Sequence, residues 1–584
     1  MLHALLGYAQ RTGLHAEPGF SPQTIRWAIC ADDDGNYLGV VPLGSDKKGL
    51  AFRLLPTQAQ SALVGKGGVR AQPLWDTVGS VLLWSKDEKR KPPDRERHDN
   101  FLLLLRSATE VIPECQAAVT LLSDPDVLGR ARADIEKQGP PAARPEDKMT
   151  VRIGDRLLVD MAAVPAWWRE HYRALQKARE STGKSRGENG AMLDLLTGDV
   201  VTPADTHDTK IKGLAGIGGL PQGDALVSFD KAAFTSFGLE KSRNAAMAEE
   251  SAKRYAKSLN HLIQTNGRIL AGAMVVPWFK EGVAAEDDPF TWIVEAPEHT
   301  ARIAEARAAE LLEAIRKGTR PDLAGNRYYA VTLSGAAGRV MVRDWIEGEF
   351  EELAAAVAAW FTDLAIVWAD GSALASPPKF MAVVGALVRE LKDAPASLVA
   401  ELWRAAARRK AVPRAALARA LGRARLAFLA DESPRVAGLA LIKAYHTRIN
   451  SWGYPAMQPY LNENHPDVAY HAGRLLAVLA RLQYAALGEV GAGVVQRYYI
   501  AASQTPALVL GRLIGNSKNH LSKLDGGLSF WFENRIAEIV GRFGDRLPRT
   551  LDLEGQSLFA LGYYQQLAHD RASRPAAKEE AINA

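Results

Sequence analysis

The spacing of hydrophobic residues changes character near position 347. Before that point, short runs rich in β-branched and aromatic residues are bounded by turn-forming residues, at 25–30, 37–43, 80–84, 328–334 and 339–343. This is the pattern of strands joined by tight turns. The segments DDDGN at 32–36 and GAAG at 335–338 predict that the strands beside them form hairpins.

Longer segments show helical spacing. In the first half they lie at 101–112, 124–138 and 242–264. From 347 onward, apolar residues recur at i, i+3, i+4 and i+7 in a background of Ala, Leu, Arg and Glu, which is typical of packed helices. The sequence therefore predicts an α+β protein with a mixed α/β N-terminal domain containing antiparallel hairpins at 1–346. An all-α C-terminal helical bundle is predicted at 347–584.

Composition supports a folded, multidomain chain. The 584 residues are 47% hydrophobic and include 13 tryptophans, and single cores rarely grow beyond about 300 residues. Two cysteines, Cys30 and Cys115, cannot form a disulfide framework, which favours a reducing compartment. No segment has the pattern of a signal peptide or a membrane span. We therefore expect a cytoplasmic protein with no membrane association.

The net charge of +5 averages two opposite segments. Residues 401–450 contain 11 basic and 3 acidic side chains, whereas residues 281–314 contain 9 acidic and 2 basic ones. Arg404 with Arg408, and Arg419 with Arg423, are four positions apart and share a helix face, which can follow a phosphate backbone. The alternative interpretation is a solvated helix surface.

Known catalytic patterns are missing from the sequence. The GKS at 183–185 lacks the earlier glycine of a phosphate-binding loop, and neither GxSxG nor HExxH occurs. His-Asp pairs stand at 98–99, 207–208 and 569–570, each without the further ligands that a metal site requires. We therefore expect no catalytic residue, metal or cofactor. A stand-alone metal-dependent nucleic-acid enzyme that uses one of these pairs is the main alternative.

Two glycine-rich segments are candidates for contacts with nucleic acid. In the first, at 65–72, Lys66 and Arg70 could contact phosphates and Gln72 could contact a base edge. In the second, at 210–223, Lys210 and Lys212 precede glycines that let the backbone approach a ligand closely. A flexible connection is the alternative for the second segment.

Seven segments are distinctive in their order and spacing along the chain. They are GFSPQTIRWAICADDDGNYLGVVPL, PLWDTVGSVLLW, TGDVVTPADTHDTKIKG, ALVSFDKAAFTSFGLEKSRNAAMAEESAKRYAKSLNHLI, YYAVTLSGAAGRVMVRDW, AYHAGRLLAVLARLQ and QRYYIAASQTPALVLGRLIGNSKNHLSKL. Together these segments resemble one protein family, the large subunit of type I-C CRISPR surveillance complexes (Cascade), and they are collinear with that family over nearly the whole chain.

The resemblance implies a non-enzymatic subunit that acts in antiviral defence. Such a subunit recognises the short motif beside a protospacer in double-stranded target DNA, helps to open the duplex and stabilises the R-loop. The implied partners are the CRISPR guide RNA, the subunit that processes and caps it, the guide-backbone subunits, the small subunits and the helicase-nuclease. This division fits the missing catalytic patterns, because guide pairing reads the sequence and a partner cleaves it. A structural scaffold that does not read DNA is a further alternative.

The family reads the flanking motif with its N-terminal domain. The candidates here are Lys66, Arg70, Gln72, Thr77, Lys210, Lys212 and the segment 236–244 with Asn244. Many relatives carry Asn where this chain has Thr77, and Thr cannot give the bidentate contact that Asn gives to adenine. The neighbouring Trp75 is interpreted as a core residue.

The helical half supplies the candidates for phosphate contacts. They are Arg404, Arg408, Arg409, Lys410, Arg419, Arg423, Arg497, Arg512, Lys518 and Lys523. The family also implies a small subunit that is translated from an internal start. Met457 is the candidate start, because it follows a Pro-rich break and precedes a self-contained helical pattern. Residues 457–584 would then also exist as a separate helical bundle.

Overall fold

The computed structural model describes residues 1–14, 17–44, 49–58, 70–86, 92–138, 142–182, 191–229, 231–235, 237–295, 301–449 and 456–572. These residues form two compact units. Unit 1 comprises 1–211 and 225–261, and unit 2 comprises 212–224 and 262–584. The change to helices predicted at 347 occurs within unit 2, so it is a change of secondary structure inside one compact unit.

Unit 1 is built around a mixed sheet. Its strands are β1 Phe20–Ile25, β2 Trp27–Ala31, β3 Tyr37–Pro42, β4 Leu50–Pro56, β5 Trp75–Thr77, β6 Lys148–Ile153, β7 Arg156–Leu157, β8 Met192–Leu193 and β9 Val200–Val201. The main sheet has the order β3-β2-β6-β5, with β2 and β6 parallel and the other pairs antiparallel. β1 pairs with β4, and β8 pairs with β9.

Unit 1 also contains α-helices. They are α1 Leu2–Thr12, α2 Val78–Val81, α3 Arg95–Ala108, α4 Glu114–Ser123, α5 Pro125–Lys137, α6 Val164–Thr182 and α7 Glu249–Asn266, which the unit boundary at 261 divides. β2 is buried at every position, as expected for a central strand with a parallel neighbour. Its side chains join those of β6 and the helices α3 to α5 in one hydrophobic core.

The hairpin predicted at 32–36 is confirmed, since β2 and β3 are antiparallel neighbours joined there. The Asp32 amide donates to the Asn36 carbonyl at 3.0 Å, and Gly35 supplies the left-handed conformation with φ of 87°. The strand predicted at 80–84 is wrong, because a short helix occupies 78–81. Thr77 caps this helix by accepting from the Ser80 amide at 3.3 Å, and that bond favours a helical turn over extension.

Unit 2 combines an antiparallel sheet with many helices. The strands are β10 Arg268–Leu270, β11 Ala273–Phe279, β12 Arg327–Ala336 and β13 Arg339–Glu349, in sequential order. The helices are α8 Pro289–Glu295, α9 Ala301–Arg316, α10 Phe350–Leu364, α11 Phe380–Ala386, α12 Ala396–Arg408, α13 Arg414–Leu429, α14 Val436–Ile449, α15 Val468–Leu487, α16 Val494–Gln504, α17 Pro506–Leu521, α18 Gly526–Gly541 and α19 Leu553–Ala572. The hairpin predicted at 328–343 is confirmed as β12 and β13.

One hydrophobic core runs through unit 2 from Leu270 to Ala568. It includes side chains of β11, β12 and β13 as well as those of the helices, which is why the sheet and the helical bundle form one unit. The predicted α+β class, with antiparallel hairpins first and helices afterwards, is confirmed. Within the described residues, no helix combines the length and the apolar character needed to cross a bilayer.

The glycine-rich segment 212–224 packs against the β12–β13 hairpin. The Ala337 amide donates to the Gly218 carbonyl at 3.3 Å. A Cβ atom on Gly335 would lie 2.0 Å from the Gly219 nitrogen, so the two backbones approach more closely than any side chain allows. Close packing of backbone on backbone thus accounts for these glycines better than a flexible connection does.

Candidate nucleic-acid interface

The first candidate loop is only partly described, and Lys66 lies outside the described residues. Gln72 is 6% exposed, and its side chain is held within the protein. Its Oε1 accepts from the Gln58 amide at 2.7 Å, and its Nε2 donates to the Gln58 carbonyl at 3.2 Å. In this conformation, the amide of Gln72 is committed to a neighbouring strand end instead of being presented to a base edge.

Thr77 also acts within the fold. Besides capping α2, its Oγ1 lies 2.8 Å from the Ser80 hydroxyl. The preceding Asp76 is fully buried and accepts from Arg97 Nη2 at 2.6 Å and from the Gln72 amide at 2.9 Å. Trp75 is 4% exposed, as its interpretation as a core residue requires. The side chains of Gln72, Asp76 and Thr77 are therefore used in hydrogen bonds within the protein.

The remaining N-terminal candidates are more accessible. Arg70 pairs with the exposed Glu96 at 2.8 Å. Lys210 and Lys212 are exposed, and the carbonyl of Lys210 accepts from Asn260 at 2.9 Å. In the candidate segment 236–244, position 236 lies outside the described residues. Asn244 donates its side-chain amide to the carbonyls of residues 239 and 241, at 3.0 and 3.1 Å, so it orders its own turn.

Sequence reasoning named the segment 236–244 but did not single out its exposed aromatic side chain. Phe237 is 89% exposed and precedes Gly238, which has a left-handed φ of 69°. Lys231 and Lys241 are also exposed in the same loop. An aromatic ring beside cations is the combination that stacks on unpaired bases. A Phe-Gly dipeptide is common in loops, so the sequence gives no particular signal for Phe237. Only the exposure of its ring in the structure identifies it as a candidate.

Arg404 and Arg408 share a helix face, as their spacing predicted, but their guanidinium groups contact strand β13. Arg404 forms two hydrogen bonds with the carboxylate of Asp344, which is buried, and this contact raises the pKa of Arg404. Arg408 donates to the Glu347 carbonyl at 2.8 Å. These two arginines hydrogen-bond α12 to strand β13.

Arg409 and Lys410 follow at the end of the same helix. Arg409 has a left-handed φ of 49° and closes α12. Together with Arg408 they line a recess of about 250 Å³ that also includes Tyr328 and Glu352. Three cations against one carboxylate give the recess a net positive charge, which can attract a phosphate group.

Several other cations of 401–450 are structural. Lys443 is 2% exposed and donates to the Asp363 carbonyl at 2.9 Å, and burial lowers its pKa to about 8. Arg448 is also buried and pairs with the Asp363 carboxylate at 2.7 Å. Arg414 pairs with Glu554 at 2.8 Å. These three cations therefore have partners within the protein, and the pair of Arg448 with Asp363 is buried.

Arg419 and Arg423 lie on α13, where Arg419 is exposed and Arg423 half-buried. Neither makes an ion pair or a side-chain hydrogen bond with another described residue. The C-terminal helices and the loops between them carry a larger set of such cations, all exposed and none paired with an acid in the described part of the chain. The predicted members are Arg497, Arg512, Lys518 and Lys523, and sequence reasoning did not select Arg542, Arg546 and Arg549.

The three His-Asp pairs lie in different surroundings. His98 is buried, with Nδ1 3.0 Å from the Ser80 carbonyl. His207 is buried against the Tyr255 hydroxyl at 2.8 Å, and burial lowers its pKa to about 4. The carboxylate of Asp570 contacts two neighbouring side chains of the bundle. Among the described residues, no group of three His, Cys, Asp or Glu side chains is placed to hold a metal ion.

Met457 is 1% exposed and belongs to the core of unit 2. The His465 ring nitrogen Nε2 lies 3.4 Å from its sulfur. Helices α15 to α19 follow it and pack on one another. α19 also contacts residues that precede the candidate start, since Tyr564 donates to the Val367 carbonyl at 2.8 Å.

Comparison with known proteins gives one result. A search of curated proteins finds no match. The model of the family described as CRISPR-associated protein (Cas_Csd1) matches residues 5–570. This range covers most of both compact units and includes all the candidate residues above. The chain therefore belongs to this CRISPR-associated family and is a Cascade subunit, in agreement with its resemblance to type I-C large subunits.

Proposed function

We propose that this chain is the non-catalytic large subunit of a type I-C surveillance complex. In this role it recognises the protospacer-adjacent motif in double-stranded DNA and helps to unwind the duplex. It then stabilises the R-loop and recruits the helicase-nuclease that degrades the DNA. Its proposed partners are the guide RNA, the capping and backbone subunits, the small subunits and that nuclease.

The distribution of unpaired cations supports this proposal most directly. The exposed cations of the C-terminal bundle have no acidic partners in the described part of the chain; they include Arg497, Arg512, Lys518 and Lys523. Such cations are suited to phosphate contacts. When they bind DNA, the counterions condensed on it are released, and no ion pair within the protein has to be broken. The buried cations Lys443 and Arg448, in contrast, bond to Asp363 within the fold and are not available to a phosphate.

The test is target binding by the assembled complex with the double substitution Arg512→Gln and Lys518→Gln. We expect weaker binding to every target, with the slope of log K against log salt reduced by roughly one to two. The matched control is Arg316→Gln with Lys317→Gln, which removes the same charge from exposed positions next to Glu313. Equal losses in both variants would contradict a specific phosphate path.

The recognition step is tested with targets that differ only in their flanking bases. We expect affinity to depend on these bases. The variant Phe237→Ala should weaken binding to every target by about 1–3 kcal/mol, because stacking on bases of the opened duplex is lost. Leu38→Ala is the control, since Leu38 is also largely exposed, at 63%. Binding that ignores the flanking bases would favour the scaffold alternative.

A further inference from the structure

A pocket of about 540 Å³ opens in unit 2, and none of the unpaired cations described above lines it. It lies where α13 and α15 end, α16 begins and the last turns of α19 pass. Its inner wall is aromatic, with Phe428, Tyr563 and Tyr564 all buried. Its mouth carries three exposed acids, which are Asp431, Glu432 and Glu489.

The buried carboxylate of Asp570 also lines this pocket. Asp570 is 3% exposed, and its Oδ1 accepts from Gln566 at 3.0 Å. Its Oδ2 is buried and has no hydrogen-bond partner among the described residues. Because a buried carboxylate oxygen without a donor is unfavourable, an incoming N–H group would be stabilised here.

The two arginines that line the pocket are already engaged. Arg481 lies 3.3 Å from Asp570 Oδ1, with its guanidinium 5.1 Å from the Trp531 ring centre. Arg571 donates to the Ala369 carbonyl at 3.1 Å. Four carboxylates therefore face two cations, and the surplus negative charge disfavours any ligand that carries phosphate.

The mouth also presents an aromatic face. Tyr484 is 52% exposed beside the acids, and such a ring attracts a cation placed over it. A guanidinium group matches both features, because its planar fork donates to a carboxylate while its face stacks on an aromatic ring. We propose that this pocket binds an arginine side chain presented by a protein partner.

The experiment measures binding of a capped Gly-Arg-Gly peptide to the full chain by calorimetry. The comparison peptide is Gly-citrulline-Gly, which has nearly the same shape but no charge. We expect the arginine peptide to bind at least tenfold more tightly, and its affinity to fall as salt increases. Equal binding of the two peptides would overturn the proposal, as would tighter binding of free spermidine than of the arginine peptide.

Two variants locate the site. Glu432→Gln with Glu489→Gln changes only exposed side chains, so folding is preserved, and it should weaken binding of the arginine peptide several-fold. Asp570→Asn should weaken it further, because the buried acceptor loses its charge.

The matched control is Glu533→Gln with Asp545→Asn, which removes the same charge from two exposed positions outside the pocket. If that control weakens binding as much as the variant at the mouth, the pocket is not the binding site. Because the chain is tested without DNA, failure here leaves the proposed DNA-recognition role unaffected.

Discussion

At the scale of single residues, the environment of each cation or histidine decides what it does. Arg474 is fully buried and donates to Gln566 at 2.9 Å and to His471 Nδ1 at 3.1 Å. Arg512 has the same side chain and is exposed. A buried guanidinium needs its partners because desolvation is costly, whereas an exposed one is available to a ligand.

Two buried histidines, His465 just before α15 and His471 within it, make the stability of the protein sensitive to acid. His471 Nε2 donates to the His465 carbonyl at 2.7 Å, which leaves Nδ1 to accept from Arg474. His465 Nδ1 accepts from the Asp467 amide at 3.1 Å. Each ring is thus held neutral, and burial lowers the pKa of both to about 4.

Since the unfolded rings titrate near 6.5, the unfolded state takes up protons first as pH falls. The stabilisation is complete above about pH 6.5 and is lost between there and about pH 4. We expect on the order of 1–2 kcal/mol of lost stability per histidine between pH 7 and pH 5. Urea unfolding at both pH values checks this. In His471→Gln the difference between the two pH values should shrink, and unchanged pH dependence would contradict the assignment.

At the scale of elements, glycines decide how closely helices approach. α15 and α19 meet at Gly473 and Gly562. A Cβ on Gly473 would lie 1.9 Å from the Phe559 carbonyl oxygen, and one on Gly562 would lie 2.1 Å from the Tyr470 carbonyl oxygen. The helices therefore touch backbone to backbone, and the large side chains around them fill the rest of the core.

Replacing either glycine should separate these helices. We expect Gly473→Ala to lower the free energy of unfolding by about 1–3 kcal/mol, because a rigid backbone atom must move. Gly511→Ala is the control, since Gly511 lies within α17 and a Cβ there meets nothing within 4 Å. That change should be neutral or stabilise by up to about 1 kcal/mol. Equal destabilisation by both changes would show that helix contact is not the cause.

At the scale of the whole molecule, residues 457–584 share one core with the helices before them. His446 lies 2.7 Å from the Ser557 hydroxyl, and Tyr445 donates to Glu554 at 3.0 Å. A separately translated bundle would expose these surfaces of α19. It would then need another protein to cover them, as expected for a subunit of a larger assembly.

The internal start at Met457 remains a prediction, and a C-terminal tag tests it. Expression of the gene should give a second, short band that begins at residue 457. Met457→Leu should remove this band while the full-length chain stays folded, because the two side chains have similar volume and such buried changes usually cost less than about 1.5 kcal/mol. A short band that persists in this variant, or that never appears, would rule out this start.

Periodicity in the sequence was sufficient to predict the fold class, the hairpins at 32–36 and 328–343, and the helical C-terminal region. These features depend on residues that are close in the chain. The alternation of apolar and polar residues and their helical spacing are therefore enough to predict them. The strand predicted at 80–84 failed because a single cap at Thr77 outweighed the local apolar pattern. The ordered family segments also carried enough information to identify the family.

Only the tertiary structure decided which charges are available and where the units divide. Arg404, Arg448 and Arg419 look alike in the sequence, yet the first two are held by buried acids of β13 and α10. Those acids lie far away along the chain, and no local pattern reveals them. The exposure of Phe237 and the pocket around Asp570 likewise arise from packing between distant segments. Sequence periodicity specifies the elements, while long-range packing and desolvation decide which side chains remain free to act.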